Sequence, residues 1–274
     1  MFLIWMIKKL FVALFFVLIA FSNGCSSKAA IIDKPRETVR KTTSVASKDV
    51  GQNYEISASK SGIIPDNHQK TKHNYGYGKG DIYLQHYCHQ NSIQQIILVE
   101  QSKEVVSKGT LFLLTRKNGQ DWKEVLKCMA YLGKNGIDKK REGDLRTPTG
   151  DFGMIMAFGA KDDPGSLIPY TKLTNTMYFC GDKEYYNQFI DTSKVNHTCS
   201  SNSEHLLSYI PQYNYALVFD YNKENVYGKG SAIFLHCFGN SPYTLGCIGI
   251  AEDNMVKILR TIDTNVRICI YPGT

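Results

Sequence analysis

Only one long apolar run occurs in the 274-residue chain, which excludes a polytopic membrane protein. No block of five or more Lys/Arg residues occurs either. The excess of 32 Lys+Arg over 25 Asp+Glu gives +7 spread along the chain. That charge suits an anionic neighbour such as a cell wall or membrane face and gives little reason to expect nucleic acid. Hydrophobic residues make up 43% and charged residues 21%, so neither a disordered chain nor a collagen-like fibre fits. The glycine-rich stretch Gly76–Gly80 (GYGKG) lacks the spacing and the strand–helix context of a phosphate loop. His86-Tyr87-Cys88-His89 has the residue types of a metal site, but no second pair follows at zinc-site spacing. No metal or organic cofactor is therefore expected, and the length allows one or two domains.

The single apolar run is N-terminal. Lys8 and Lys9 precede twelve apolar residues, Leu10 to Phe21, a length that fits an export signal better than a membrane span. Initiation at Met6 would give the more regular signal. The run ends in Ser22-Asn23-Gly24-Cys25, which resembles a bacterial lipoprotein cleavage box except that Ser22 stands where Leu is usual. The expectation is a signal peptide over 1–24, lipidation of Cys25, and a remaining chain outside the cytoplasm. Removing Lys8 and Lys9 lowers the charge from +7 to +5. Residues 25–80 are dominated by Lys, Ser, Thr and Asn and read as a polar tether. A folded domain is expected over 81–274.

Within that domain strand signals recur at Gln95–Glu100, Gly109–Thr115, Trp122–Tyr131, Asp151–Phe158, Tyr215–Asp220, Ser231–His236 and Val266–Tyr271. Residues 160–203 read as a loop-dominated insertion, and Ser203–Ile210 as two helical turns. Met255, Ile258, Leu259 and Ile262 form one helical stripe behind Glu252 and Asp253. The fold class is mainly β with one or two short helices. Eight cysteines are present, so lipidation of Cys25 leaves seven, an odd number. Cys180 with Cys199 is the most local disulfide pairing.

The most informative stretch is Gly228–Ile250, GKGSAIFLHCFGNSPYTLGCIGI. A strand ends at His236, and a ten-residue loop leads to Cys247 behind Gly246. An imidazole beside a thiol can take its proton and leave a strong nucleophile, and a glycine lets backbone amides approach a reacting carbonyl. On spacing alone a Cys and a His on adjacent elements are more often packed core residues. The opposite face of the strand is expected for Cys237.

GKGSAIFLHC…TLGCIGIAEDNMVKIL resembles the catalytic signature of the L,D-transpeptidase (YkuD-like) family of peptidoglycan enzymes. Lys139–Met154 (KKREGDLRTPTGDFGM) resembles that family's second landmark, and Tyr185-Tyr186-Asn187, Glu204–Leu207 and Tyr215–Asn222 resemble one branch of it. The likeness covers roughly Asn91–Thr274. It implies an L,D-transpeptidase-like β-sandwich with Cys247 as nucleophile, His236 as general base, and Thr244 and Gly246 as motif residues. Tyr186, Asn187, Glu204 and Gly249 are the candidates for the substrate groove. Leu245 and Gly249 depart from the His and Arg often found there. The implied reaction is acyl transfer on peptidoglycan stem peptides, with wall crosslinking by a membrane-anchored lipoprotein of the cell envelope. An L,D-carboxypeptidase and a catalytically idle wall-binding lipoprotein are the alternatives. An unrelated cysteine peptidase would need an Asn or Asp orienting the His, and none is identifiable by position.

Overall fold

The structure, a computed structural model, describes residues 73–274. The expected signal peptide, Cys25 and the tether up to residue 72 lie outside the described residues. Among the described residues no helix is long and apolar enough to cross a membrane.

Twelve strands and two α-helices follow a short 3-10 turn at Gly78–Gly80. Helix α1 is Asp81–Tyr87. Strands β1 (Gln95–Gln101), β2 (Lys108–Thr115) and β3 (Lys123–Tyr131) form a meander. Strand β4 (Gly150–Gly159) is followed by β5 (Tyr170–Lys172), β6 (Met177–Cys180), β7 (Gln188–Asp191) and β8 (Glu204–His205). Strands β9 (Ala216–Phe219), β10 (Phe234–Cys237) and β11 (Ile248–Ile250) precede helix α2 (Glu252–Leu259) and strand β12 (Arg267–Pro272).

Nine strands make one sheet in the order β12-β1-β2-β3-β11-β10-β9-β4-β5. Strand β4 closes it: Gly150–Gly153 pair with β12, and the stretch from Met154 to Phe158 pairs with β9. The mainly β, sandwich-like expectation holds, and the two walls are continuous through β4. Alternation explains the closure. Ile97, Val99, Leu111, Leu113, Leu217, Phe219, Leu235, Cys237, Ile248, Ile250, Ile268 and Ile270 all point into one core. Their neighbours point outward, yet many are also buried, which is why the strands read as near-continuous apolar runs.

Two covers bury the outer faces. Over β1, β2 and β12, α1 contributes Leu84 and Tyr87 to a cluster with Ile96, Leu98, Phe112, Leu114, Trp122 and Tyr271. Tyr75 and Tyr77 pack against it too, so packed side chains begin ahead of Asp81. Over β4, β9 and β10, residues from the 160–214 segment (Leu173, Met177, Phe179, Leu206, Tyr213) meet Phe158, Val218 and Phe234.

Helix α2 matches the sequence stripe: Met255, Ile258, Leu259 and Ile262 are fully buried, with Glu252 and Asp253 in the first turn. Two expectations need correction. The insertion is more ordered than its composition suggested, because β6 pairs with both β7 and β8 in a small sheet. Residues 203–210 are not two helical turns. Glu204 and His205 pair with Phe179 and Tyr178, and only Leu206–Ser208 curl into a 3-10 turn. Backbone pairing with β6 outweighs weak helix propensity there. Helix α1 had no sequence signal, since seven residues are too few to be stable alone. Its missing support comes from Arg116, whose guanidinium donates to the carbonyls of Tyr87 (2.7 Å), Gln90 (2.7 Å) and Ile93 (3.2 Å). The same guanidinium lies 4.8 Å from the Trp122 ring, and Trp122 Nε1 donates to Leu84 O at 3.2 Å. A buried cation thus satisfies the carbonyls that the helix end leaves open.

Arg116→Met keeps the side-chain bulk and removes these charged hydrogen bonds. The expected cost is about 1.5–3 kcal/mol in urea unfolding, with Cys247 alkylation unaffected. Stability equal to wild type would mean that Arg116 does not hold α1.

Candidate active site

Strands β10 and β11 run parallel, with Leu235 opposite Ile248 and His236 opposite Gly249. Antiparallel neighbours flank them: β9 beside β10 and β3 beside β11. Alternation then sends Leu235, Cys237 and Ile248 into the core, and Phe234, His236 and Cys247 to the outer face under the insertion. Cys237 accordingly sits in the interior cluster and Cys247 in the outer one.

The turn before β11 is tied down at several atoms. Thr244 Oγ1 donates to Cys247 O at 2.6 Å and accepts from Gly246 N at 3.2 Å. Thr147 Oγ1, a hundred residues earlier, donates to the same carbonyl at 3.2 Å and accepts from Gly133 N at 2.8 Å. Gly246 has φ +153°, and a Cβ there would stand 2.9 Å from Ile233 Cδ1 and 3.0 Å from Arg146 O. Both its conformation and its surroundings demand glycine. The resemblance pointed to Thr244 and Gly246. Thr147 lies within the landmark Lys139–Met154, but the motif did not single it out.

The Cys247 thiol donates to Ala232 O at 3.2 Å, and its sulfur accepts from Phe234 N at 3.3 Å. Ala232 has φ +53°, a conformation that a non-glycine residue holds only under outside constraint. Asn187 is that constraint: its Oδ1 accepts from Ala232 N at 3.2 Å, and its Nδ2 donates to Asn222 O at 3.0 Å. Tyr186 anchors the same loop. Its hydroxyl donates to Glu142 Oε2 at 2.5 Å and accepts from Gly230 N at 3.0 Å. Tyr186 and Asn187 therefore use their polar atoms to shape the wall beside the thiol.

His236 Nδ1 lies 2.7 Å from Cys237 O. Since a carbonyl only accepts, Nδ1 carries the proton and Nε2 is the basic nitrogen. Burial pushes the imidazole down to about 4 and the Cys247 thiol up to about 12, with the Glu204 charge adding to the latter. At neutral pH the pair is thus an uncharged thiol and an uncharged imidazole. Cys247 and His236 are 9% and 7% exposed, so the insertion largely covers them. A Cβ at Gly249 would lie 3.8 Å from His236 Cε1 and 3.7 Å from Phe238 Cδ1, ordinary contact distances. The motif neighbour Leu245 is strongly exposed.

Two charged groups act on the thiol: Lys139, which sequence did not single out, and Glu204, a groove candidate. Lys139 Nζ pairs with Asp144 Oδ1 at 2.9 Å, both nearly inaccessible, and its charge favours the thiolate. Burial opposes ionisation of Asp144. Hydrogen bonds from Lys140 N, Lys139 Nζ, Arg141 N and Arg146 N nevertheless hold it down to about 2. Glu204 Oε2 accepts from Tyr213 Oη at 2.5 Å, and the Tyr213 ring packs 5.6 Å from His236. Burial raises Glu204 to about 7, against the pull of that hydrogen bond.

The sequence profile of the L,D-transpeptidase catalytic domain (YkuD) matches residues 94–270. No curated protein sequence matches the chain. Among solved structures the chain is similar to L,D-transpeptidase 1 of Mycobacterium tuberculosis, at 14% identity and a TM-score of 0.31. That likeness covers 65% of this chain and 62% of the other.

Glu204 gives a pH signature. Its folded-state value lies above the ordinary 4.5, so its contribution to stability is complete below about 4.5 and is lost as pH rises through about 7. His236 acts in the opposite sense: its contribution is present above 6.5 and is lost as pH falls through about 4. Glu204→Gln should therefore gain stability relative to wild type as pH rises from 5 to 8. Urea unfolding across that range checks it, and a difference independent of pH would count against a protonated Glu204.

Proposed function

The chain belongs to the L,D-transpeptidase catalytic domain (YkuD) family, and on that footing we propose that it transfers the acyl group of a peptidoglycan stem peptide through Cys247. The observation that carries this reading is the parallel β10–β11 pairing, which turns Cys247 and His236 to the same outer face of adjacent strands.

The proposed steps start from the neutral pair. A stem peptide entering beneath the insertion brings the carbonyl of its third residue to Cys247 Sγ. The thiol gives up its contact with Ala232 O and passes its proton to His236 Nε2. The sulfur then adds to the carbonyl carbon. Lys139 offsets part of the cost of the thiolate. Gly246 N–H is already engaged by Thr244, so the amide of Cys247 is the nearer donor for the oxyanion. Collapse breaks the C–N bond, and the terminal D-amino acid leaves with the proton held by His236. The thioester on Cys247 is attacked by an amine of a second stem. Its proton passes through His236 to the released sulfur, which restores the thiol. Water in place of the amine would give trimming instead.

Thr147, Thr244 and Asn187 position the nucleophile without touching substrate. Gly249, opposite His236 on the paired strand, and Glu204 are the proposed groove residues. The protein's proposed place is the outer face of a membrane, held by a lipidated Cys25. Cys25→Ser should then release it from the membrane fraction or block its processing, and unchanged membrane association together with unchanged gel mobility would contradict lipidation.

Incubation with a disaccharide-tetrapeptide tests the reaction by mass. The expected product is a dimer lacking one D-Ala, abolished by Cys247→Ala and slowed roughly 10²–10⁴-fold by His236→Ala. Tripeptide alone would identify a carboxypeptidase. Undiminished product with Cys247→Ala would overturn the cysteine mechanism, and absence of any product with wild type would favour an idle wall-binding role.

A further inference from the structure

The insertion that covers Cys247 carries a second cluster of reactive side chains. Cys180 ends β6, and the loop after β7 brings His197 and Cys199 back to it. The sulfurs of Cys180 and Cys199 and a ring nitrogen of His197 all lie within 4.8 Å of one another. Nothing in the acyl-transfer scheme uses them.

We propose that Cys180, His197 and Cys199 bind a zinc ion that staples the insertion over the active-site cysteine. The first argument is distance. Zinc bonds of about 2.3 Å to sulfur and about 2.0 Å to nitrogen, at a tetrahedral angle, place those ligand atoms roughly 3.5 Å apart. Cys180 Sγ and His197 Nε2 are 3.5 Å apart. Asp182 Oδ2 lies 3.2 Å from the same nitrogen.

The second argument is preorganisation. Cys180 Sγ is approached by the Asp182 N–H at 3.4 Å and the Ser203 hydroxyl at 3.5 Å, donors that suit a sulfur carrying negative charge. Asp182 is fixed in turn by Ser200, whose N–H donates to it at 2.8 Å and whose hydroxyl also bonds to it. The His197 ring packs 4.7 Å from Tyr185. Supporting residues that orient the ligands in this way are typical of metal sites. On binding the metal each cysteine releases one proton to solvent and His197 binds as neutral imidazole. Two thiolates and an imidazole suit zinc among the common divalent ions.

The staple has a consequence at the reaction centre. Phe179, next to Cys180 on β6, packs edge-on against Phe234 at 4.8 Å between ring centres. The N–H of Phe234 is the one that contacts Cys247 Sγ. Metal at Cys180 therefore fixes the strand that roofs the nucleophile.

The test is metal analysis of the full-length chain, purified in detergent under reducing conditions and reconstituted with zinc. One zinc per chain is expected, retained by Cys247→Ala and lost by Cys199→Ser. Cobalt added to the metal-free wild type should give thiolate-to-cobalt charge transfer together with tetrahedral ligand-field bands, both erased by zinc. That experiment decides the matter if Cys199→Ser does not fold. Less than stoichiometric zinc with no cobalt charge transfer would overturn the proposal, as would a Cys180–Cys199 disulfide in metal-free protein isolated from cells.

Discussion

Much of the site depends on the parallel pairing of β10 with β11. Parallel neighbours usually need a crossover of a dozen or more residues, commonly a helix. Here ten residues, 238–247, make the return, and the turn that completes it is held at its last peptide. Thr147 and Thr244 both donate to Cys247 O, and Gly246 takes a conformation and a space closed to other residues. If that turn slipped by one residue, Cys247 would enter the core beside Leu235, and Ile248 would leave it. The outer face would then present no thiol. The sheet closure through β4 serves the same end, because Thr147 lies just ahead of β4.

Burial then sets the chemistry. A covered thiol pushed up to about 12 and a covered imidazole pushed down to about 4 form a resting pair without charge separation. A protonated thiol is a weak nucleophile, so such a pair gains reactivity from an event that changes its surroundings. Opening of the insertion by substrate is the simplest such event, since Phe179, Leu206 and Tyr213 share the cluster that contains Cys247. Reactivity would thus be coupled to occupancy of the groove, a form of selectivity built from desolvation and not from charge.

How much of this could be read from the chain varies with the range of the interaction. Strands β1, β2 and β12 were plain, because burial on both faces made them continuous apolar runs. Helix α2 was plain from four apolar positions. Cys247, His236, Gly246 and Thr244 stood out because a short local motif holds them. Thr147, Lys139 and the Tyr213 partner of Glu204 did not, since their roles arise from contacts that pair spacing does not encode. The Thr147–Cys247 contact spans a hundred residues. Helix α1 was invisible for a similar reason: its stabilising cation, Arg116, lies 29 residues beyond Tyr87. Cys180 and Cys199 were noticed as a pair, but His197 joined them only once β6 and β7 had folded back on each other.

The central claim is that Cys247 becomes acylated by a stem peptide. Intact-protein mass of the wild type, quenched in acid after mixing with donor tetrapeptide and no acceptor amine, tests it most directly. The account predicts a mass increase equal to the donor minus its terminal D-amino acid. Peptide mapping should place it on Cys247, and hydroxylamine should reverse it, as expected of a thioester. Turnover of the same donor with no adduct at Cys247, or with the adduct on another residue, would contradict it.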